Sequence, residues 1–155
     1  MLIKAIFCIL LCLSAGGIGS MFTASAIPAW YATLAKPSFS PPNWVFAPVW
    51  TLLYILMGLA AAIVWQKGLE NPKVRTALVI FLVQLILNMI WSVLFFGLRS
   101  PLFGLVDILF LWAMILVTMA QFSKVSIPAA ALLIPYVLWV TFATGLNLGI
   151  FLLNR

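Results

Sequence analysis

The sequence predicts an all-α membrane protein spanning residues 1–155: a bundle of five transmembrane helices with a long structured loop between the first and second. Three observations carry that prediction. The chain is 66% hydrophobic and only 6% charged, too little polar surface for a soluble domain of this size. Its charges cut it into five windows of roughly 23 residues or more, each about 35 Å long as helix, enough to cross a bilayer. The period-2 alternation of a membrane barrel is absent, and an open sheet has edges that lipid cannot satisfy.

The helices are expected at about 5–27, 44–66, 76–98, 101–123 and 127–152. Four of these windows carry no charge, and the fourth carries only Asp107. The first has a rival reading as a secretory signal, with Lys4 ahead of an apolar run and Ala24-Ser25-Ala26 as a cleavage site. That apolar run is too long for an ordinary signal, so the helix is expected to be retained. Its small-residue pairs, Ala15 with Gly19 and Gly16 with Ser20, would admit a neighbouring helix closely. In the first loop, about 28–43, Pro37, Pro41 and Pro42 stiffen the backbone. Its Trp30, Tyr31, Phe39 and Trp44 are expected to fold over the helix ends as a lid, and Asn43 to cap the second helix. Pro48 is tolerable in that helix's first turn.

Lys4, Lys67, Lys73, Arg75 and Lys124 collect on the N-terminal side, against Lys36, Arg99 and Arg155 on the other. The excess favours a cytoplasmic N-terminus. The net charge of +6 is spread over short loops, so it reads as topology signal and lipid contact and excludes a nucleic-acid interface. There is no histidine, which removes the commonest metal ligand and acid–base group. No metal site is expected. Cys8 and Cys12, one turn apart, read as small apolar filler, with a soft-metal or redox pair as the alternative.

Seven tryptophans divide by depth. Trp30, Trp44 and Trp65, with Tyr31, fit an interfacial belt. Trp50, Trp91, Trp112 and Trp139 lie deeper, where core packing competes with a role in a site. Gln84, Asn88, Trp91 and Phe95 share one face of the third helix. Trp50, Tyr54, Met57 and Ala61 repeat the spacing on the second, and Trp139, Ala143 and Leu146 form a stripe on the fifth beside Thr144 and Asn147. Intramembrane amides should face inward. Together these positions predict an aromatic-walled cavity for a large, flat, amphipathic ligand, with Lys36 available to an anionic tail. Asp107 is the only acid inside a span. It reads as a structural pair with Arg99 or an amide, the alternative being a proton or cation site.

Five motifs in order resemble the TspO/MBR family, the tryptophan-rich sensory proteins related to the mitochondrial translocator protein. They are Trp30-Tyr31-x4-Lys36-Pro37-Ser38-Phe39-x-Pro41-Pro42; Pro48-Val49-Trp50-Thr51-x2-Tyr54; Asn88-x2-Trp91-x3-Phe95-Phe96; Asp107; and Pro135-Tyr136-x2-Trp139-x3-Ala143-Thr144-x2-Asn147. The resemblance implies a five-helix bundle, commonly a homodimer, in a bacterial cell membrane. It implies binding of tetrapyrroles, protoporphyrin IX or haem, as ligand rather than required cofactor, and in some members of isoquinoline or benzodiazepine-type compounds. By position the ligand-binding residues would be Tyr31, Pro41, Pro42, Trp50, Asn88, Trp91, Phe103, Trp139, Ala143 and Leu146. Trp50 and Trp139 would be the catalytic pair of a light-dependent porphyrin degradation. The family's sterol motif is missing from the C-terminal stretch, where Phe151 stands in place of a tyrosine, which argues against tight sterol binding. The third helix also lacks a small-residue run to support a dimer contact there. The leading expectation is thus a tetrapyrrole-binding sensor, scavenger or carrier. The alternatives are a porphyrin-degrading enzyme and a small proton-coupled transporter built on Asp107.

Overall fold

A computed structural model describes all residues, 1–155. It is all-helical, with five spans long and apolar enough to cross a membrane. They are α1 (Leu2–Ala29), α2 (Phe46–Trp65, preceded by a 3-10 turn, Asn43–Val45), α3 (Pro72–Ser92), α4 (Pro101–Ser123) and a fifth span made of α5 (Ile127–Ala131) and α6 (Ile134–Leu153). The ends follow ordinary chemistry. Asn71, Ser100 and Ser126 cap α3, α4 and α5 through their side chains, each followed by a proline in the first turn, where its missing N–H costs nothing. Asn43 does not cap α2: it sits in the 3-10 turn and makes no cap bond.

Two departures from regular helix shape the bundle. α3 widens into a π-turn over Val93–Gly97, where the Leu98 N–H reaches back to the Val93 carbonyl. The wider turn buries both Phe95 and Phe96. The fifth span breaks at Leu132-Leu133 because Pro135 has no N–H to offer Ala131, and its ring crowds that carbonyl.

The tightest approach is between α1 and α2. A Cβ on Gly58 would lie 2.5 Å from the Ile9 Cα, and one on Gly16 would run into the Tyr54 ring. Gly19 meets Ser92 of α3 in the same way, at 2.9 Å from its Oγ. The predicted small-residue face of α1 is therefore used on two neighbours at once. Cys8 and Cys12 are buried along this seam among apolar side chains, and no cluster of metal-ligating groups exists. At one end Lys4 lies over the Trp65 ring, 5.3 Å from its centroid, and donates to the Trp65 carbonyl. The N-terminus of α1 and the C-terminus of α2 thus share a membrane face.

The first loop is stapled to the far end of α6. Asn154 accepts from the Ala35 N–H at 3.0 Å and donates to the Ala35 carbonyl at 2.8 Å. Pro37 packs on Gly149, where any side chain would collide with it. Phe39 meets Phe142 edge-on at 6.1 Å. Tyr31 and Trp30 pack against Phe95. Trp44 takes no part in this lid and is 74% exposed.

Candidate functional site

A cavity of about 550 Å³ lies inside the bundle between the lid and the middle of the spans. Its aromatic wall comes from four elements: Trp50 and Tyr54 of α2, Trp91 of α3 with Phe95 and Phe96 of the π-turn, and Trp139 of α6. Tyr31 closes the end beneath the loop. The rings brace one another. Trp91 stacks on Phe95 at 5.2 Å, Trp50 leans on Tyr54 at 5.7 Å, and Trp139 meets Phe46 edge-on at 6.1 Å. Such pairs hold the walls apart before any ligand arrives.

The remaining wall is small. Gly17, Ser20 and Ala24 of α1 and Ala47 and Thr51 of α2 line the cavity and are exposed. Nothing lies within 4 Å of a Cβ placed on Gly17. The wall that α1 and α2 contribute is therefore thin in side chains.

The polar atoms of the cavity are mostly spent. The Tyr54 hydroxyl donates to Asn88 Oδ1 at 2.6 Å, Asn88 Nδ2 donates to the Tyr136 hydroxyl at 2.8 Å, and Tyr136 donates to Gln84 Oε1 at 2.8 Å. This chain runs from the cavity into the core, with every donor pointing inward. Asn147 is also used twice, accepting from Trp91 Nε1 at 3.1 Å and donating to the Pro101 carbonyl at 2.8 Å. It ties α3, α4 and α6 together. Several groups remain open. The Tyr31 and Ser92 hydroxyls and the Asn43 amide line the cavity, Asn88 Nδ2 keeps a second N–H and the Tyr54 oxygen keeps a lone pair. Trp139 Nε1–H also lacks a partner, but the atom is sealed off from the cavity. A ligand would therefore meet a few hydroxyl and amide groups in an otherwise apolar space.

Of the residues expected to bind a ligand, Tyr31, Trp50, Asn88, Trp91, Trp139, Ala143 and Leu146 line this cavity. Four do not. Phe103 is on the outward face of α4, 54% exposed, and lines a separate groove. Pro41 and Pro42 lie in the stretch of loop carried across to α6, and Asn43 lines the cavity in their stead. Lys36 places its ammonium over the Tyr31 ring, 4.7 Å from the centroid, and donates to the Leu34 carbonyl, so the phenol stands between it and the cavity. Burial raises the Tyr31 phenol above its ordinary pKa of 10.0, which keeps it neutral beside that ammonium. Trp112 also lies outside, where it donates to Thr141. Asp107 has no structural partner: neither Arg99 nor an amide reaches its buried Oδ2. Ser92 and Phe46 line the cavity without having been singled out, and Asn43, expected only as a helix cap, lines it too. Ser92 and Phe46 follow from the helical faces of their neighbours, whereas Asn43 depends on the 3-10 turn.

Residues 8–153, which include every wall of this cavity, match the TspO/MBR family. The tryptophan-rich protein TspO of Chlorobaculum tepidum is 51% identical over 95% of this chain and 93% of its own length. The protein of the same name from Archaeoglobus fulgidus is 46% identical over 99% of this chain and 98% of its own. The human translocator protein is 40% identical over 84% of this chain and 78% of its own. With the likeness running through all five spans and the loop that lids them, this integral membrane protein belongs to the TspO/MBR family.

Proposed function

We propose that the cavity binds a flat, amphipathic tetrapyrrole of the protoporphyrin IX or haem type, and that the protein acts as a sensor, scavenger or carrier for it. Family membership supports a membrane sensory or binding role. The observation that carries the finer reading is the meeting of Trp50, Trp91 and Trp139, from three helices, around one apolar space of about 550 Å³. That volume is within the range of small-molecule sites. Large π-faces stack on planar ligands, and the Tyr31 hydroxyl and the Asn43 amide on the wall suit a carbonyl or carboxylate on such a ligand. The small side chains that α1 and α2 place on the wall leave room for a broad ligand. Lys36, beside Tyr31 at the lidded end, is the cation nearest to hand for a propionate that emerges there. Isoquinoline and benzodiazepine-type compounds would fit the same walls. The expected setting is a homodimer in a bacterial cell membrane with the N-terminus inside.

A second reading, light-driven oxidation of a bound porphyrin, is favoured by one observation: Trp50 and Trp139 both line the cavity. One titration separates the two. Purified protein is titrated with protoporphyrin IX in darkness and under illumination, following tryptophan quenching and the porphyrin spectrum. Saturable quenching with a stable spectrum supports binding alone, and new product bands in light support the enzyme. Absence of saturable quenching refutes both.

A further inference from the structure

We propose a second site, separate from the aromatic cavity, in which Asp107 receives the ammonium of a protonated lipophilic amine drawn from the bilayer. The site is a groove of about 330 Å³ on the outside of the bundle, between the end of α3 and α4. Leu94 and Leu98 form one side, and Phe103, Val106, Asp107 and Phe110 the other. None of these residues lines the main cavity.

The argument starts from an orphaned oxygen. Asp107 is only 6% exposed and accepts no hydrogen bond: its Oδ2 is sealed in without a partner, which leaves Oδ1 as the oxygen that can face the groove. Six residues of helix put it about 9 Å below the start of α4, within the apolar layer. A carboxyl left unpaired at that depth is costly, and such groups inside spans mark ion or ligand sites. The chain supplies no donor. The rest of the groove looks outward: Leu98 is 60% exposed, Phe103 54% and Phe110 64%. The missing donor must therefore arrive from the lipid side.

Its chemistry follows from the neighbours. Phe103 and Phe110 lie at i−4 and i+3 from Asp107, so their rings flank it on one helix face. The faces of two phenyl rings and a carboxylate all attract a cation and repel an anion. A neutral apolar molecule would leave the carboxyl without a donor, whereas an ammonium N–H donates to its Oδ1. The groove is near the lower limit for a ligand site, which suits a single alkyl chain with an amine head and excludes a macrocycle. The head would sit at Asp107 and the tail would lie against Leu94 and Leu98.

The test uses the purified full chain in lipid nanodiscs and an N,N-dimethylalkylamine carrying a photoreactive diazirine on its chain. The control is the methyl ether of the same chain, which has neither charge nor donor. Adducts are mapped by mass spectrometry. The expected result is labelling within residues 94–110 that is about ten-fold stronger with the amine than with the ether, the scale of one charge-assisted hydrogen bond. Asp107→Asn should remove that preference and Asp107→Glu should retain it. Should Asp107→Asn fail to fold, wild-type protein decides: unlabelled dodecylamine should suppress the adducts, and dodecyl methyl ether should not. Equal labelling by amine and ether overturns the proposal. So does labelling spread over the whole lipid-facing surface, or a groove protected from every probe by a second copy of the chain.

Discussion

Asn88→Leu separates the two roles that an intramembrane amide at a cavity wall can play. In this structure both polar atoms of Asn88 are committed, Oδ1 to the Tyr54 hydroxyl at 2.6 Å and Nδ2 to the Tyr136 hydroxyl at 2.8 Å. Leucine is close to the amide in size, so little new void is created. The cost is then electrostatic. Tyr54 loses the only acceptor for its hydroxyl proton, in a residue 8% exposed, while Tyr136 keeps its bond to Gln84. One orphaned donor costs about 1–3 kcal/mol. The substitution should therefore lower unfolding stability by roughly that amount, measured by reversible denaturation in mixed micelles. Tyr54→Phe removes the same orphan, so the double variant should recover part of the loss, with a coupling of roughly 0.6–1.7 kcal/mol, the range of hydrogen bonds between membrane helices. Because both polar atoms of Asn88 already serve the core and leave a ligand only a second N–H, porphyrin affinity well below the melting point should change by less than about three-fold, or roughly 0.6 kcal/mol. Strictly additive stabilities would refute the chain of hydrogen bonds. A large loss of affinity in a stably folded Asn88→Leu protein would show that the amide turns to the ligand.

Three further outcomes are expected. Trp50→Phe and Trp139→Phe retain a stacking face but lose the indole, so each should weaken porphyrin binding by only about 0.5–1.5 kcal/mol, while any light-driven loss of porphyrin absorption falls much further; equal losses in both would reduce these rings to positioning. Gly58→Val must push on the Ile9 backbone and should cost about 1–3 kcal/mol of stability, whereas Gly145→Ala, with nothing within 4 Å of its Cβ, should be neutral or slightly stabilising; equal effects in thermal melts would refute the close α1–α2 approach. Asn154→Ala removes both bonds to Ala35 and should speed amide exchange across the lid by roughly ten-fold, the effect of about one lost hydrogen bond, so unchanged exchange would mean that the proline-rich backbone holds itself.

The five spans were legible in the residues because a bilayer imposes a one-dimensional rule. A stretch that carries no charge for the thickness of the hydrocarbon must cross it as helix. The aromatic faces were legible for the same reason, since helical spacing alone sets Trp91 beside Asn88 and Trp139 beside Ala143. Spacing says which residues share a face, but not what the face meets. Phe103 stands one turn before Asp107 whether α4 turns that side to the cavity or to lipid, and only its packing against α3 and α6 decided for lipid. The π-turn at Val93–Gly97 is invisible to a rule that assumes a uniform period. The break before Pro135 follows from a missing N–H, yet the apolar window runs through it without interruption.

Partners across the bundle were beyond the sequence for a deeper reason. A hydrogen bond is a matter of a few tenths of an ångström between groups up to 119 residues apart, as in Asn154 and Ala35. The residues themselves named Asn88, Lys36 and Asp107 as the polar groups that need an account in an apolar protein. Only their neighbours in space determined that Asn88 is already engaged within the core, that Lys36 is set over Tyr31, and that Asp107 lines a lipid-facing groove with no hydrogen-bond partner in the chain.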